Sequence, residues 1–245
     1  MFQSPRRRRR CRTGRGGVEE CAREDPGGSV SLRDRIRLRL ARIAPGIAAL
    51  VLTLAAPASS SSTAPQPGSA GVPGGGGFDA EPTCTSCHTG FPINSDGRGV
   101  LALSGLPERY VPGERYTLTL EVRHPDDERR RWGFQLTAVG AKSLAGAGAF
   151  VVTDNPNTQL IRGTVGNREY VSHSYFGTGV GEAGGHAWTF DWIAPAPAVG
   201  RIAFYGAGNA SNLDGSKEGD RIYSPAPRPL AVVDPGKPGA KEQGP

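Results

Sequence analysis

The chain has 245 residues, 36 of them Gly and 21 Pro, with 29 Lys and Arg against 23 Asp and Glu and a formal net charge of +6. The basic excess is local: 13 of the basic and 5 of the acidic residues precede residue 59, so the remainder carries about −2. The positive charge is therefore no ground for a nucleic-acid partner, and with Met1 as the only methionine a methionine ligand in the later part of the chain is excluded.

Residues 1–58 read as a presequence with a secretory signal peptide. Arg6 to Arg10 form an arginine run, and Arg33, Arg35, Arg37, Arg39 and Arg42 add charge ahead of an apolar stretch from Ile43 to Ala56. Ala56-Pro57-Ala58 then supplies a small-residue cleavage pattern. The apolar run is about 14 residues long, short of the roughly 20 that span a bilayer. No membrane insertion is expected after cleavage, an uncleaved anchor being the alternative. A start at Val30 would make this signal compact. The expected location is outside the cytoplasm, periplasmic or at the cell surface. Cys11 and Cys21 leave with the presequence, so Cys84 and Cys87 are the only cysteines of the exported chain.

Residues 59–78 are mostly Ser, Pro, Gly and Ala and read as a flexible linker. Residues 79–233 are long enough for one domain with a sizeable core. Residues 234–245 are rich in Pro, Gly, Lys and Glu and read as a disordered tail without an apolar anchoring segment.

The domain opens on Cys84-Thr85-Ser86-Cys87-His88. C-x-x-C-H is the attachment pattern of a c-type haem: two thiols bond to the vinyl groups, and the adjacent imidazole comes under the iron. The expected cofactor is haem c, covalent through Cys84 and Cys87, with His88 on the iron. The expected function is electron transfer with a redox partner protein. The same pair of thiols could instead form a disulfide in an oxidising compartment, act as a reactive dithiol, or join His88 on zinc. Pro82 before the motif and Gly90-Phe91-Pro92 after it do not suit the strand-to-helix setting of a thioredoxin-like catalyst.

Downstream, Tyr116 to Arg123 and Trp132 to Val139 alternate with period two, as half-buried strands do. The second presents Trp132, Phe134, Leu136 and Ala138 on one face. Further strands are expected over Ala149 to Thr153, Glu169 to Phe176, Ala187 to Ile193, Arg201 to Tyr205 and Arg221 to Ser224, separated by Gly, Pro and Asn turns. No helical period is evident. Short strands at this spacing argue for an all-β sandwich, whereas a class I cytochrome c is largely helical. Trp132, Trp188 and Trp192 read as core residues, and Arg129-Arg130-Arg131 as a solvated loop. The loop from Asn212 to Asp220 has oxygen ligands that calcium could use, but lacks the twelve-residue pattern and reads as an Asn/Gly turn. There is no Gly-x-Ser-x-Gly, phosphate loop or His-Glu-x-x-His, and no enzymatic activity is expected.

Several blocks, taken together, resemble a known family. They are Thr83 to Gly90, Tyr110-Val-Pro-Gly-Glu-Arg-Tyr116, Trp132-Gly-Phe-Gln135 and Tyr170-Val-Ser-His-Ser174. Further on come Trp188 to Pro195, Phe204-Tyr-Gly-Ala-Gly-Asn209 and Gly219-Asp-Arg-Ile-Tyr223. In this order and spacing they resemble bacterial Reeler-like domains of the choice-of-anchor V type. The resemblance implies an immunoglobulin-like β-sandwich displayed outside the cytoplasm, and it admits a second function, a non-enzymatic adhesion or matrix module with Cys84 and Cys87 oxidised. For a second iron ligand the choices are His173, His186 and His124. His173 ranks first because the family pattern also has a histidine there. His186, beside the Trp188 strand, is second. His124, next to Pro-Asp-Asp-Glu, reads as solvent-exposed. A five-coordinate iron open to a small ligand is the remaining option.

Overall fold

The computed structural model describes residues 64–236, which lie in the compact unit Ser59–Pro245. The signal pattern and residues 237–245 lie outside the described residues. Among the described residues there is no helix long and apolar enough to cross a membrane.

Eleven strands form two sheets: β1 (Val100–Ser104), β2 (Arg109–Tyr110), β3 (Arg115–Arg123), β4 (Arg131–Gly140), β5 (Ala149–Val152), β6 (Thr158–Arg162), β7 (Glu169–His173), β8 (Gly185–Ile193), β9 (Ile202–Ser211), β10 (Arg221–Tyr223) and β11 (Ala231–Pro235). The smaller sheet runs β1-β3-β8-β5. The larger runs β2-β11-β9-β4-β7-β6, with β10 added to β9. Pairing is antiparallel except between β11 and β2. This is the all-β sandwich that the strand pattern leads one to expect, of the immunoglobulin-like kind that the resemblance implies.

Alternation decides which face is buried. Leu118, Leu120 and Val122 of β3 and Trp188, Phe190 and Trp192 of β8 face Trp132, Phe134, Leu136 and Ala138 of β4. Phe134 lies 4.6 Å from Trp188 and 5.9 Å from Phe190, between ring centroids. Buried indoles need an acceptor, and all three have one: Trp132 donates to the Glu182 carbonyl, Trp188 to that of Gly177 and Trp192 to that of Ala147. The tryptophans thus fill the core and also pin two connections to it. Strand β9 runs on to Ser211, beyond the expected Tyr205, through Gly206 and Gly208. A Cβ at Gly208 would stand 2.5 Å from Val122, so close sheet packing there requires glycine despite its weak strand propensity.

The segment 64–78 departs from the linker reading. It lies on the outer face of the larger sheet: Ala70 and Val72 are fully buried with Val139, Tyr170, Ala203 and Tyr205. The Ser69 N–H donates to Gln135 Oε1 at 2.6 Å, and Gln135 Nε2 donates to the Gln66 carbonyl at 2.9 Å. Strand β4 is covered on both sides, which explains why its outward residues Gln135 and Thr137 are buried too. Composition misleads here because two small apolar side chains and one buried glutamine suffice to dock a Gly-rich arm. The folded unit also extends past residue 233: Asp234 and Pro235 pair with β2, and the Gly236 N–H donates to the Tyr110 carbonyl.

Downstream of the cysteine motif the arm is clamped again. Asn94 donates to the Ser224 carbonyl, and Asp96 accepts from His124 Nε2 at 2.9 Å and from the Tyr223 hydroxyl at 2.9 Å. His124 is 1% exposed rather than solvated, because its Nδ1 accepts from the Asp126 N–H while Nε2 reaches Asp96. Arg129 is also buried, not solvated, and donates to the Gly219 carbonyl. Burial alone would raise the Asp96 pKa, but hydrogen bonds from His124, the Arg98 N–H and Tyr223 outweigh it and hold the carboxyl at about 2. A depressed folded pKa stabilises the fold fully above the unfolded value near 3.9 and ceases to do so as pH falls towards 2. Stability is therefore expected to drop by about 2 kcal/mol over that window. Urea titrations at stepped pH should show the slope, and Asp96→Asn should flatten it; an equal slope in that variant would rule out Asp96 as its source.

Candidate functional site

The cysteine motif folds as a single 3₁₀ turn, Cys84–Ser86, opened by the Thr83 side chain accepting from the Thr85 N–H. Side chains three residues apart eclipse in such a turn, so Cys84 and Cys87 share one side. The Cys87 and His88 N–H groups both donate to the Cys84 carbonyl, which fixes His88 directly after the turn. Gly90 keeps the motif seated: a Cβ there would stand 2.8 Å from the Gly219 nitrogen. Any side chain at 90 would wedge the turn away from the β9–β10 connection.

His88 meets a partner 132 residues further along the chain. Its Nδ1 lies 2.6 Å from Asp220 Oδ2, and the Asp220 side chain is 2% exposed. Asp220 also accepts from Asn209 Nδ2 and from the Asn212 N–H. A carboxylate on Nδ1 makes that nitrogen the donor and leaves Nε2 with its lone pair outward, the tautomer used to bind metal. No protein group engages His88 Nε2 among the described residues. On the Nδ1 side, Asn209 Nδ2 lies 3.4 Å from the ring, and the Asn209 Oδ1 is buried without a hydrogen-bond partner.

Both cysteines are free thiols, Cys84 half-buried and Cys87 exposed. Burial pushes the Cys84 thiol up to about 12, with its own backbone opposing and Cys87 adding to the rise. A thiol this reluctant to ionise is a poor nucleophile at neutral pH, which disfavours Cys84, but not the exposed Cys87, as the attacking thiol of a reactive dithiol.

His173, at the end of β7, comes close enough to His88 for a charge on one to act on the other. Its ring inserts beside β4: Nδ1 accepts from the Phe134 N–H at 2.9 Å and lies 3.1 Å from the Phe134 carbonyl. A Cβ at Gly133 would stand 2.7 Å from this ring, so the missing side chain makes room for it. This insertion is why β7 stops at His173 instead of Phe176: the side chain occupies the backbone group that the next ladder bond would need. Burial pushes the His173 pKa down to about 4, the Phe134 backbone opposing and Arg131 and His88 assisting. The ring is neutral at physiological pH, and with Nδ1 accepting from the Phe134 N–H its proton sits on Nε2.

His186 stands apart from this pair, with Nδ1 2.6 Å from Glu182 Oε2 and its ring against Trp188. His124 has both ring nitrogens engaged. In the Asn212–Asp220 loop the oxygens turn to neighbouring groups of the loop: Asp214 accepts from the Ser216 N–H and Asn212 Nδ2, and Asp220 serves His88. Among the described residues no group of three or more His, Cys, Asp and Glu side chains is gathered for a metal ion. The donor set of Cys84, Cys87 and His88 instead suits a group that brings its own equatorial nitrogens. Free thiols on one side and an imidazole held by a carboxylate with its other nitrogen unengaged fit a covalently attached haem. Asp220 and Asn209 were not legible as site residues in the sequence.

No family model matches the chain, and no curated protein matches it. Among solved structures, the chain is similar to the human F-spondin reeler domain, at 23% identity over 57% of this chain and 89% of that one, with a TM-score of 0.39. It is also similar to an uncharacterised Nocardia farcinica protein with an immunoglobulin-like fold, at 13% identity over 56% of this chain and 97% of that one, TM-score 0.37. A third likeness is to a cohesin–dockerin complex from Clostridium thermocellum, at 11% identity over 52% and 98%, TM-score 0.31.

Proposed function

We propose that this chain is an exported, non-enzymatic, Reeler-like β-sandwich that carries one covalent haem and passes electrons to a redox partner protein. The observation that carries the reading is His88, held through Nδ1 by buried Asp220 while Nε2 faces no protein group. Cys84 and Cys87 would hold the porphyrin by thioether bonds, His88 would bind the iron, and His173 would be the second ligand. The group would supply one-electron redox chemistry, whose potential depends on axial ligands and burial. The protein's own contribution is positional. Gly90 seats the turn, Asp220 fixes the imidazole, and His173 would have to move its proton from Nε2, giving up the bond that Nδ1 accepts from the Phe134 N–H, to bind the iron. Export rests on the arginine-rich, apolar and small-residue pattern of residues 1–58.

The full chain, produced in a bacterium with the c-type maturation machinery, should give a haem-stained band on a denaturing gel, and Cys84→Ser/Cys87→Ser should remove the stain. A folded, exported protein without stain would point instead to an adhesion module with Cys84 and Cys87 oxidised.

A further inference from the structure

Tyr175 and Phe176 are 53 and 72% exposed, and their rings meet edge to face with centroids 5.4 Å apart. Leaving two adjacent aromatic rings in water is costly, and gathered apolar side chains mark a binding surface where single ones do not. The pair lines a cavity of about 610 Å³ together with Arg131, Asn157, Glu182 and His186, within the size range of small-ligand sites. None of Cys84, Cys87, His88 and His173 lines it.

The connection between β7 and β8 that carries the rings is fixed from the core side. The Trp132 N–H donates to the Thr178 carbonyl, the Trp188 indole to that of Gly177, and the Trp132 indole to that of Glu182. The carbonyls of Tyr175, Gly179 and Gly181 are taken by the Thr178 hydroxyl, the Glu182 N–H and the Arg130 guanidinium. With these six carbonyls occupied, the connection has little backbone to offer an added peptide strand. Recognition falls to the side chains.

Those side chains suit hydroxyl groups. Glu182 Oε2 lies 2.6 Å from His186 Nδ1. The His186 ring is seated against Trp188, 4.7 Å away between centroids, and against Gly179, where a Cβ would stand 2.6 Å from Nδ1. Among the described residues no protein group engages His186 Nε2, the Tyr175 hydroxyl or the Arg131 guanidinium, and Asn157 Nδ2 donates to Asp154 while its Oδ1 has no partner. Donors and acceptors thus surround the two rings, and the charge of Arg131 is offset by that of Glu182. An anion would meet Glu182, a cation Arg131, and a wholly apolar ligand would leave the polar groups unpaired. The matching ligand has an apolar face, a rim of groups that both donate and accept, and no net charge. A neutral sugar ring, with its C–H face and its hydroxyl rim, has all three.

We propose that this cavity binds a neutral saccharide, with sugar C–H faces against Tyr175 and Phe176 and hydroxyls on Arg131, Asn157 and Glu182. The inference does not rest on the haem reading, and it gives the exposed aromatic pair a function that neither the cysteine motif nor the fold assigns.

The test is native electrophoresis of the full chain, produced as above, in gels cast with hydroxyethyl cellulose, galactomannan, xylan or dextran as neutral polymers and alginate as an acidic one. At least one neutral polymer should retard the parent. Tyr175→Ser/Phe176→Ser should weaken that binding about tenfold or more, and Glu182→Gln should weaken it as well. Val199→Ser, exposed and outside the cavity, should change nothing. The substituted side chains lie at the surface, so far-ultraviolet circular dichroism should match the parent. Protein with and without haem should be retarded alike, which separates this proposal from the attachment reading. A parent that no neutral polymer retards would overturn the proposal, and so would equal retardation of the aromatic double variant, which would place the sugar elsewhere. Retardation by alginate alone, lost in Arg131→Gln, would replace it with an anion site. Self-association of the parent in sedimentation, abolished in the double variant and without retardation by any polymer, would replace it with a contact between copies of the chain.

Discussion

Asp220→Asn is expected to raise the reduction potential of the matured protein and to let added imidazole displace His88 about 10 to 100 times more readily. The carboxylate of Asp220, its side chain 2% exposed, accepts from Nδ1 at 2.6 Å, where a negative charge acts strongly on the imidazole. It makes the ring a better electron donor and fixes its direction. Asparagine keeps an oxygen for Nδ1 and removes only the charge, whereas Asp220→Ala removes both. The potential should therefore shift in both variants, while ligand displacement should be easier in the alanine one. Redox titration and imidazole binding followed at the Soret band provide the readout. Equal potentials in the parent and the asparagine variant would show that Asp220 does no more than orient the ring. Haem attachment through Cys84 and Cys87 should survive both changes.

The second large effect lies in the core. Phe134→Ala is expected to cost about 3–5 kcal/mol of stability, most of the margin of a typical domain. Phe134 is fully buried at the centre of the sandwich, against Trp188, Phe190 and the His173 ring, and no neighbour can fill the void without leaving its own packing. Denaturant unfolding should show a lower midpoint at an unchanged slope. A loss below about 1 kcal/mol would mean that the two sheets close over the gap, contrary to the tight packing argued for this centre. Because the Phe134 ring also packs against His173, the same variant should loosen that ring.

The central strands were legible because their alternation is strong and long. Strands β3, β4 and β8 each run nine or ten residues, and their apolar sets face one interior. Although β5 and β10, of four and three residues, were expected, the strands β1, β2, β6 and β11 were not, and β2 has two residues. Their existence is imposed by pairing partners already in place. The Ser/Pro/Gly arm was misread for a related reason: its order comes from Gln135 on β4, not from its own composition. His124 was taken as exposed from its charged neighbours, yet the backbone N–H of one of them, Asp126, and the carboxylate of Asp96 satisfy both ring nitrogens and allow it to be buried.

Within the candidate site, Cys84, Cys87 and His88 were legible because the motif is contiguous. Asp220 was not, since it lies 132 residues away in a loop that looked like a polar turn. The available signals were its place in Gly219-Asp-Arg-Ile-Tyr223, a block singled out by the resemblance, and its place at the end of the Asn212 to Asp220 loop weighed for calcium. His173 was picked out by its place in a pattern. The neighbouring Gly133, whose missing side chain admits the ring, gave no sign of that purpose because glycine in a strand has several uses.

The measurement that tests the account most directly is the intact mass of the chain after maturation, purification and denaturation in acid. The account predicts the mass of the polypeptide plus one haem, lost in Cys84→Ser/Cys87→Ser. A mass lower than the reduced polypeptide by two hydrogens would mean a Cys84–Cys87 disulfide and would contradict it.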